Sequence, residues 1–215
     1  MLVETMVVGF VQTNCYLAWN EATKEGFLVD PGDNAPLILD TVRRLGVQVK
    51  LIFLTHSHFD HIMALAEVAA ATGAKVAIHE SEAAEIAAPS PATLRALGLP
   101  ALQIKPAPAD ILLKEGDTLP CAGETLKILH TPGHTIGSVC IDTGKLLFSG
   151  DTLFEDDCGR CDLPGGDYSV MLSSLRRLAA LPGDRVVYPG HSVSTTLARE
   201  RQVNGDMLRA LRSAQ

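Results

Sequence analysis

Between His56 and His61 the chain places three imidazoles and a carboxylate within six residues, His56-Ser57-His58-Phe59-Asp60-His61. Side chains of this kind are costly to keep as ordinary structure, because each needs its polar atoms satisfied or left in water. Together they form a ligand set suited to zinc or iron. Lys50 to Thr55 reads as a short buried strand, and Ile62 to Thr72 as a helix ended by Gly73. The cluster therefore sits on a strand-to-helix turn, where side chains can converge on one point.

The same arrangement recurs three times. Leu126 to Thr131 is strand-like, and Pro132-Gly133 then delivers His134. Lys145 to Ser149 is followed by Gly150 and Asp151, and Arg185 to Tyr188 by Pro189-Gly190 and His191. Each time an apolar run ends in a Gly or Pro turn and a metal-ligating side chain comes next. Four such runs predict strands that end at a common sheet edge, with loops there building a site. His130 lies inside its strand and is expected to hydrogen-bond a ligand loop rather than bind metal. His79 is expected at the surface or at a helix start.

The elements that would position these loops follow two periods. Leu2 to Val8, Cys15 to Trp19 and Gly26 to Asp30 read as antiparallel strands, Asn34 to Leu45 as a helix, and Lys75 to Ile78 as a brief strand. Glu80 to Ala88 and Pro91 to Leu97 read as short Ala-rich helices. Leu99 to Asp110, with Pro100, Pro106 and Pro108, reads as a loop. Strands are expected at Asp117–Leu119, Thr125–Thr131, Ser138–Asp142 and Lys145–Ser149. Asp167 is expected to cap a helix whose apolar stripe is Tyr168, Met171, Leu172, Leu175, Leu178 and Ala179. A strand at Arg185–Tyr188 and a helix from Ser194, fraying at Asn204-Gly205, close the chain. The pattern predicts two packed sheets covered by helices, in one domain over residues 1–215.

At 215 residues, 47% apolar, the chain supports a sizeable core. A net charge of −7 with no basic run argues against a nucleic-acid partner. No apolar run approaches the ~20 residues of a membrane span, and Met1 to Val11 does not resemble a signal peptide. The expected location is cytoplasmic, with no membrane partner. Five cysteines at irregular spacing give no disulfide framework. Cys15, Cys121 and Cys140 read as buried thiols. Cys158 and Cys161 read as thiols on a loop near Asp151, with a redox-sensitive pair as the alternative.

His56-Ser57-His58-Phe59-Asp60-His61, Thr131-Pro132-Gly133-His134-Thr135, Gly150-Asp151-Thr152-Leu153-Phe154 and Pro189-Gly190-His191 together resemble the metallo-β-lactamase fold superfamily. Gln12-Thr13-Asn14-Cys15-Tyr16 and Val29-Asp30-Pro31-Gly32 match its first hairpin. Cys158 to Asp167 is similar to the short, glyoxalase II-like hydrolases within it. The resemblance runs from about Met1 to about Asn204. It implies an α+β fold, a four-layer αβ/βα sandwich with two structurally similar halves.

It also implies two divalent transition metals, zinc first and iron or manganese as alternatives. His56, His58 and His134 would hold one, Asp60, His61 and His191 the other, and Asp151 would bridge both. A hydroxide between the cations would attack a small acyl substrate, a thioester first, and the catalytic carboxylate Asp60 would orient it. Arg160 either meets an anionic substrate group or forms a structural ion pair. Full-length glyoxalase II enzymes carry a further helical domain, for which this sequence has no room. Asp162 and Val193 stand where their glutathione-binding tyrosines are expected. These departures count against glutathione thioesters specifically. A mononuclear iron persulfide dioxygenase is the alternative on the same motif. The complete ligand set disfavours a non-catalytic metal-binding module. β-Lactam hydrolysis ranks lower, because enzymes of that kind usually place a cysteine where Asp151 stands.

Overall fold

Strands β2 (Thr13–Trp19), β3 (Glu25–Val29) and β4 (Gln48–Phe53) are nearly continuous apolar runs, and β2 is buried along its whole length. Strands that read this way must be covered on both faces. The computed structural model, which describes residues 1–100 and 102–212, shows what covers them.

Two six-stranded mixed sheets are present. The first runs β1 (Leu2–Val8), β2, β3, β4, β5 (Lys75–His79) and β6 (Ile111–Leu113), with antiparallel pairing up to β3 and parallel pairing beyond. In sequence order the second contains β7 (Thr118–Cys121), β8 (Glu124–His130), β9 (Val139–Asp142), β10 (Leu146–Gly150), β11 (Val186–Pro189) and β12 (Thr195–Thr196). Its pairs are antiparallel except for β10 with β11.

The alternation of side chains sorts the strand residues into three packed interfaces. Tyr16, Phe27, Phe53, Ile128, Ile141 and Phe148 meet between the sheets. Leu17, Leu28 and Ile52 face the opposite way, onto helices α1 (Ala35–Leu45) and α3 (Leu65–Thr72) through Ile38, Val42, Leu65 and Val68. Leu129, Cys140 and Leu147 face outward from the second sheet onto α6 (Tyr168–Ala179), α7 (Leu197–Val203) and α8 (Gly205–Arg212). Helix, sheet, sheet, helix is the four-layer αβ/βα arrangement that the sequence predicts.

Three local departures have identifiable causes. The helix expected from Ile62 to Thr72 is split into α2 (Phe59–Ile62) and α3. Met63 and Ala64 donate their backbone N–H groups to Gly32 O and Pro31 O, at 3.0 and 3.1 Å, instead of to the preceding turn. At Asn204 the last helix does not fray. The Asn204 side chain accepts from Asp206 N and Met207 N and starts α8 instead. Tyr168 is half exposed and bonds Asp206, so the buried stripe of α6 is Met171, Leu175 and Leu178. The Pro-rich segment after Leu99 has no regular structure up to Asp110, with Ala101 outside the described residues. Helices α4 (Ala83–Ala87) and α5 (Ala92–Ala96) precede it. None of the described helices is long and apolar enough to cross a membrane.

Phe148 carries much of the inter-sheet interface. It is fully buried, and its ring meets Tyr16 and Phe27 at 5.6 Å and Tyr188 at 5.3 Å. Phe148→Ala should therefore destabilise the protein by about 3–5 kcal/mol. Urea denaturation of wild type and variant at matched metal content checks this. A loss under about 1 kcal/mol would mean that the interface repacks around the hole.

Candidate metal centre

All the loops of interest leave the same edge of the two sheets. His56 and His58 follow β4, and Asp60 and His61 lie on α2. His134 follows β8, Asp151 follows β10 and His191 follows β11. Two backbone bonds hold this edge shut between the sheets: Val139 N donates to Thr55 O at 2.9 Å and Asn14 N to Gly190 O at 2.7 Å. Tyr16 Oη and Asn14 Nδ2 add hydrogen bonds to Pro189 O, at 2.5 and 3.0 Å. The His191 turn is thereby fixed against the first sheet.

The seven side chains converge as two trios with a carboxylate between them. Ligand atoms of His56, His58 and His134 lie within 4.8 Å of one another, as do those of Asp60, His61 and His191. Asp151 faces both groups: its Oδ2 is 3.4 Å from His134 Nε2 and 3.6 Å from His191 Nε2, and its Oδ1 is 3.5 Å from His61 Nε2. Gly190 is required for this approach. A Cβ there would lie 2.1 Å from Asp151 Oδ1. Gly32 makes a similar allowance under Asp60, where a Cβ would lie 1.8 Å from the backbone oxygen.

The donor atoms fit a cation. Among the described residues, four buried side-chain polar atoms lack a hydrogen-bond partner, and three of them are His56 Nε2, His61 Nε2 and Asp151 Oδ1. Orphaned buried polar atoms cost free energy. Three in one place, each a good ligand atom, are explained by divalent metal.

The electrostatics agree. Burial holds the His56 and His58 imidazoles in the neutral, ligating form; it draws His58 down to about 3, with His134 beside it adding to the effect. His61 behaves oppositely. Burial pulls it down, but the carboxylates of Asp60, Asp151 and Asp30 outweigh burial and lift it to about 10. Asp60 is held well below the usual carboxylate range, against its own burial, by His61 and His191. This part of the site is therefore built to hold positive charge.

Three residues that the sequence does not mark by role hold the ligands in place. Asp30 ends β3 at a positive φ of 52° and is almost fully buried. Its Oδ2 bonds His61 Nδ1 at 2.9 Å and accepts from Thr55 Oγ1 at 2.7 Å, while Oδ1 accepts from Thr55 N. A carboxylate behind a ligating imidazole fixes its tautomer and orientation. The signal was present in Val29-Asp30-Pro31-Gly32, which repeats the pattern of strand, turn and acid. Glu82 is buried and accepts from Ser57 N at 2.6 Å and Gly137 N at 2.9 Å. It clamps the His58 loop to the His134 loop, and nothing in its Ala-rich surroundings announces that. Thr13 Oγ1 donates to Asp60 Oδ2 at 2.9 Å.

The remaining expectations divide. His130 donates through Nε2 to Ile136 O on the His134 loop, the role expected of it. His79 starts a 3-10 turn, accepting from Ser81 N, but it is buried and stacked on His130 rather than at the surface. Arg160 lines the cleft over the ligands, yet its guanidinium is taken bidentately by Asp162 at 2.6 and 2.8 Å. Its carbonyl oxygen accepts from His134 Nδ1 at 2.7 Å. All five cysteines are free thiols, with Cys15, Cys121 and Cys140 buried as expected.

The family model for the metallo-beta-lactamase superfamily matches residues 8–191. The chain belongs to that superfamily. Among its relatives, hydroxyacylglutathione hydrolase GloC of Haemophilus influenzae is 31% identical over 207 residues, covering 95% of this chain and 97% of that one. Among solved structures, the B3 metallo-beta-lactamase BLEG-1 matches with a TM-score of 0.87 and 34% identity over 96% of this chain and 99% of that one. TTHA1623, in a di-iron-bound form, matches with a TM-score of 0.82 and 36% identity over 94% and 98%. The superfamily, the fold and divalent metal binding therefore stand together with the likeness to the short glyoxalase II-like members.

Two substitutions test the supports. Asp30→Ala should weaken metal binding about 10–100-fold, with the loss greatest in the trio containing His61. Competition against a coloured chelator reads it, and unchanged affinity would reject the assigned role. Glu82→Gln keeps the size but turns an amide NH2 towards one of two backbone donors. It should cost about 1–3 kcal/mol, seen as a lower denaturation midpoint; no shift would reject the clamping role.

Proposed function

We propose that this chain is a hydrolase of small acyl substrates, thioesters first, working with two divalent metal ions. The observation that carries the reading is the pair of trios with Asp151 facing both. His56, His58 and His134 would hold one ion, Asp60, His61 and His191 the other, and Asp151 both, with zinc the first expectation and iron or manganese the alternatives. Ions there would supply Lewis acidity for a carbonyl oxygen and lower the pKa of water in the cleft towards ~7.

The rest of the chemistry falls to the chain. Asp60 lines the cleft, with Oδ2 3.3 Å from His191 Nε2 and held by Thr13. As a carboxylate kept well below its usual range it accepts a hydrogen bond from the attacking water and orients it, without storing the proton. The wall offers the leaving group no good acid: the Cys158 thiol lines it, but burial pushes that thiol up and makes it a reluctant proton donor. Among the described residues no lysine or tyrosine lines the cleft, and the histidines that do (His58, His134 and His191) belong to the trios. A thiol, with a pKa near 8.5, leaves readily as its anion, whereas an amine must first take a proton. This favours thioesters and activated esters over amides.

The thioester hydrolysis that GloC is named for points the same way. The likeness to BLEG-1 gives β-lactam hydrolysis a place as the second reading, and the di-iron form of TTHA1623 supports iron as an occupant. The missing donor for a departing nitrogen keeps thioesters first.

The test is elemental analysis of the purified protein together with four assays: S-lactoylglutathione, a short acyl thioester, a β-lactam, and oxygen uptake with glutathione persulfide. Two metals per chain and thioester turnover are expected, and Asp151→Ala should remove both metals and all but a trace of turnover. One metal at full occupancy with oxygen uptake would replace the hydrolase with a dioxygenase.

A further inference from the structure

We infer that the acyl group accepted by this cleft is an uncharged, apolar chain. The inference rests on the hydrolase reading and adds the substrate's chemistry to it. The cleft over the two trios has a volume of about 580 Å³, within the range of small-molecule sites. Val11, Phe59, Leu97, Phe154 and Leu163 supply its apolar walls. Phe59 stands between His58 and Asp60 in sequence, so apolar surface begins beside the ligands.

That surface continues outward. Phe10 is 60% exposed and its ring stacks at 6.0 Å on Phe59, which lines the cleft, and Val11 beside it lines the cleft as well. Large apolar side chains left in water around a cleft mark a surface that a ligand covers. A chain leaving the reacting carbonyl has apolar contacts from Phe59 out to the rim.

Charge on the wall beyond the metal trios disfavours the alternative. Arg160 is the only basic residue lining the cleft among the described residues, and Asp162 holds its guanidinium through two bonds. Asp157 adds a carboxylate to the wall, its Oδ1 accepting from Cys158 N. Outside the metal trios, an acyl group ending in a carboxylate would meet one basic side chain, already held by Asp162, and the carboxylate of Asp157. In the reaction water oxygen bonds to the acyl carbon and the C–S bond breaks. The carboxylic acid forms, and the departing thiolate or solvent takes the proton that water gives up.

The test uses the metal-loaded enzyme and thioesters of one neutral thiol, N-acetylcysteamine. Acetyl, butyryl, hexanoyl and octanoyl compounds give a chain-length series, and the succinyl compound matches butyryl with a terminal carboxylate. kcat/KM should rise about two- to fourfold per methylene as chain is buried, at least to hexanoyl. Succinyl should fall at least about tenfold below butyryl. Leu97→Ser should flatten the slope, and Phe10→Ser, at an exposed rim position, should flatten it for octanoyl. Asp162→Ala, which releases Arg160, should raise succinyl relative to butyryl. Hydrolysis with a flat or falling slope, or with succinyl preferred, overturns this inference and leaves the hydrolase reading intact. A two-metal enzyme that hydrolyses no thioester brings down both.

Discussion

Buried carboxylates facing imidazoles are the constraint around which this molecule is organised. Asp30 and Asp151 are buried and Asp60 nearly so, all at one edge of the sheets, and His61 stands among them with an unpartnered Nε2. Such a group is costly in a low-dielectric interior unless positive charge completes it. The expense is tolerable only because the loops are rigidly supplied. The apolar strands beneath are covered on both faces, so their ends are fixed in space. Short Gly and Pro turns then leave the side chains little choice of direction.

The supports show how that rigidity is distributed. Asp30 works along the first sheet, tying His61 to Thr55. Glu82 works across, joining loops from both sheets by two backbone bonds. Arg160 contributes through its carbonyl oxygen, which orients His134, while its charge is spent on Asp162. Of the two roles expected of Arg160, the structure shows the ion pair, and its backbone adds the bond that orients His134. The cleft is left without a free cation among the described residues.

Much of this was legible in the chain because ligand, turn and apolar run are local features. The strands before His56, His134, Asp151 and His191 each announce themselves by composition, and so does the common edge they share. What sequence did not reveal depends on distant partners. The break at Met63 exists because Pro31 and Gly32 offer carbonyls from another loop. Asn204 looks like a place for a helix to unravel until its side chain is seen capping the next one. His79 starts a helical turn as one of its two readings had it, but its burial could not be read, because its stacking partner is fifty-one positions away, at His130. The clamping role of Glu82 needs Ser57 and Gly137 to be adjacent, which no window of sequence contains.

The division of the two trios along the chain has a consequence for biosynthesis. His56, His58, Asp60 and His61 are all present once the first third of the chain has been made. Neither trio is complete then, since one awaits His134 and the other His191. A nascent chain of that length thus offers loose imidazoles but no finished trio. The first trio can close only after residue 134 and the second only after residue 191, so a fully loaded site would mark a chain whose two sheets have met.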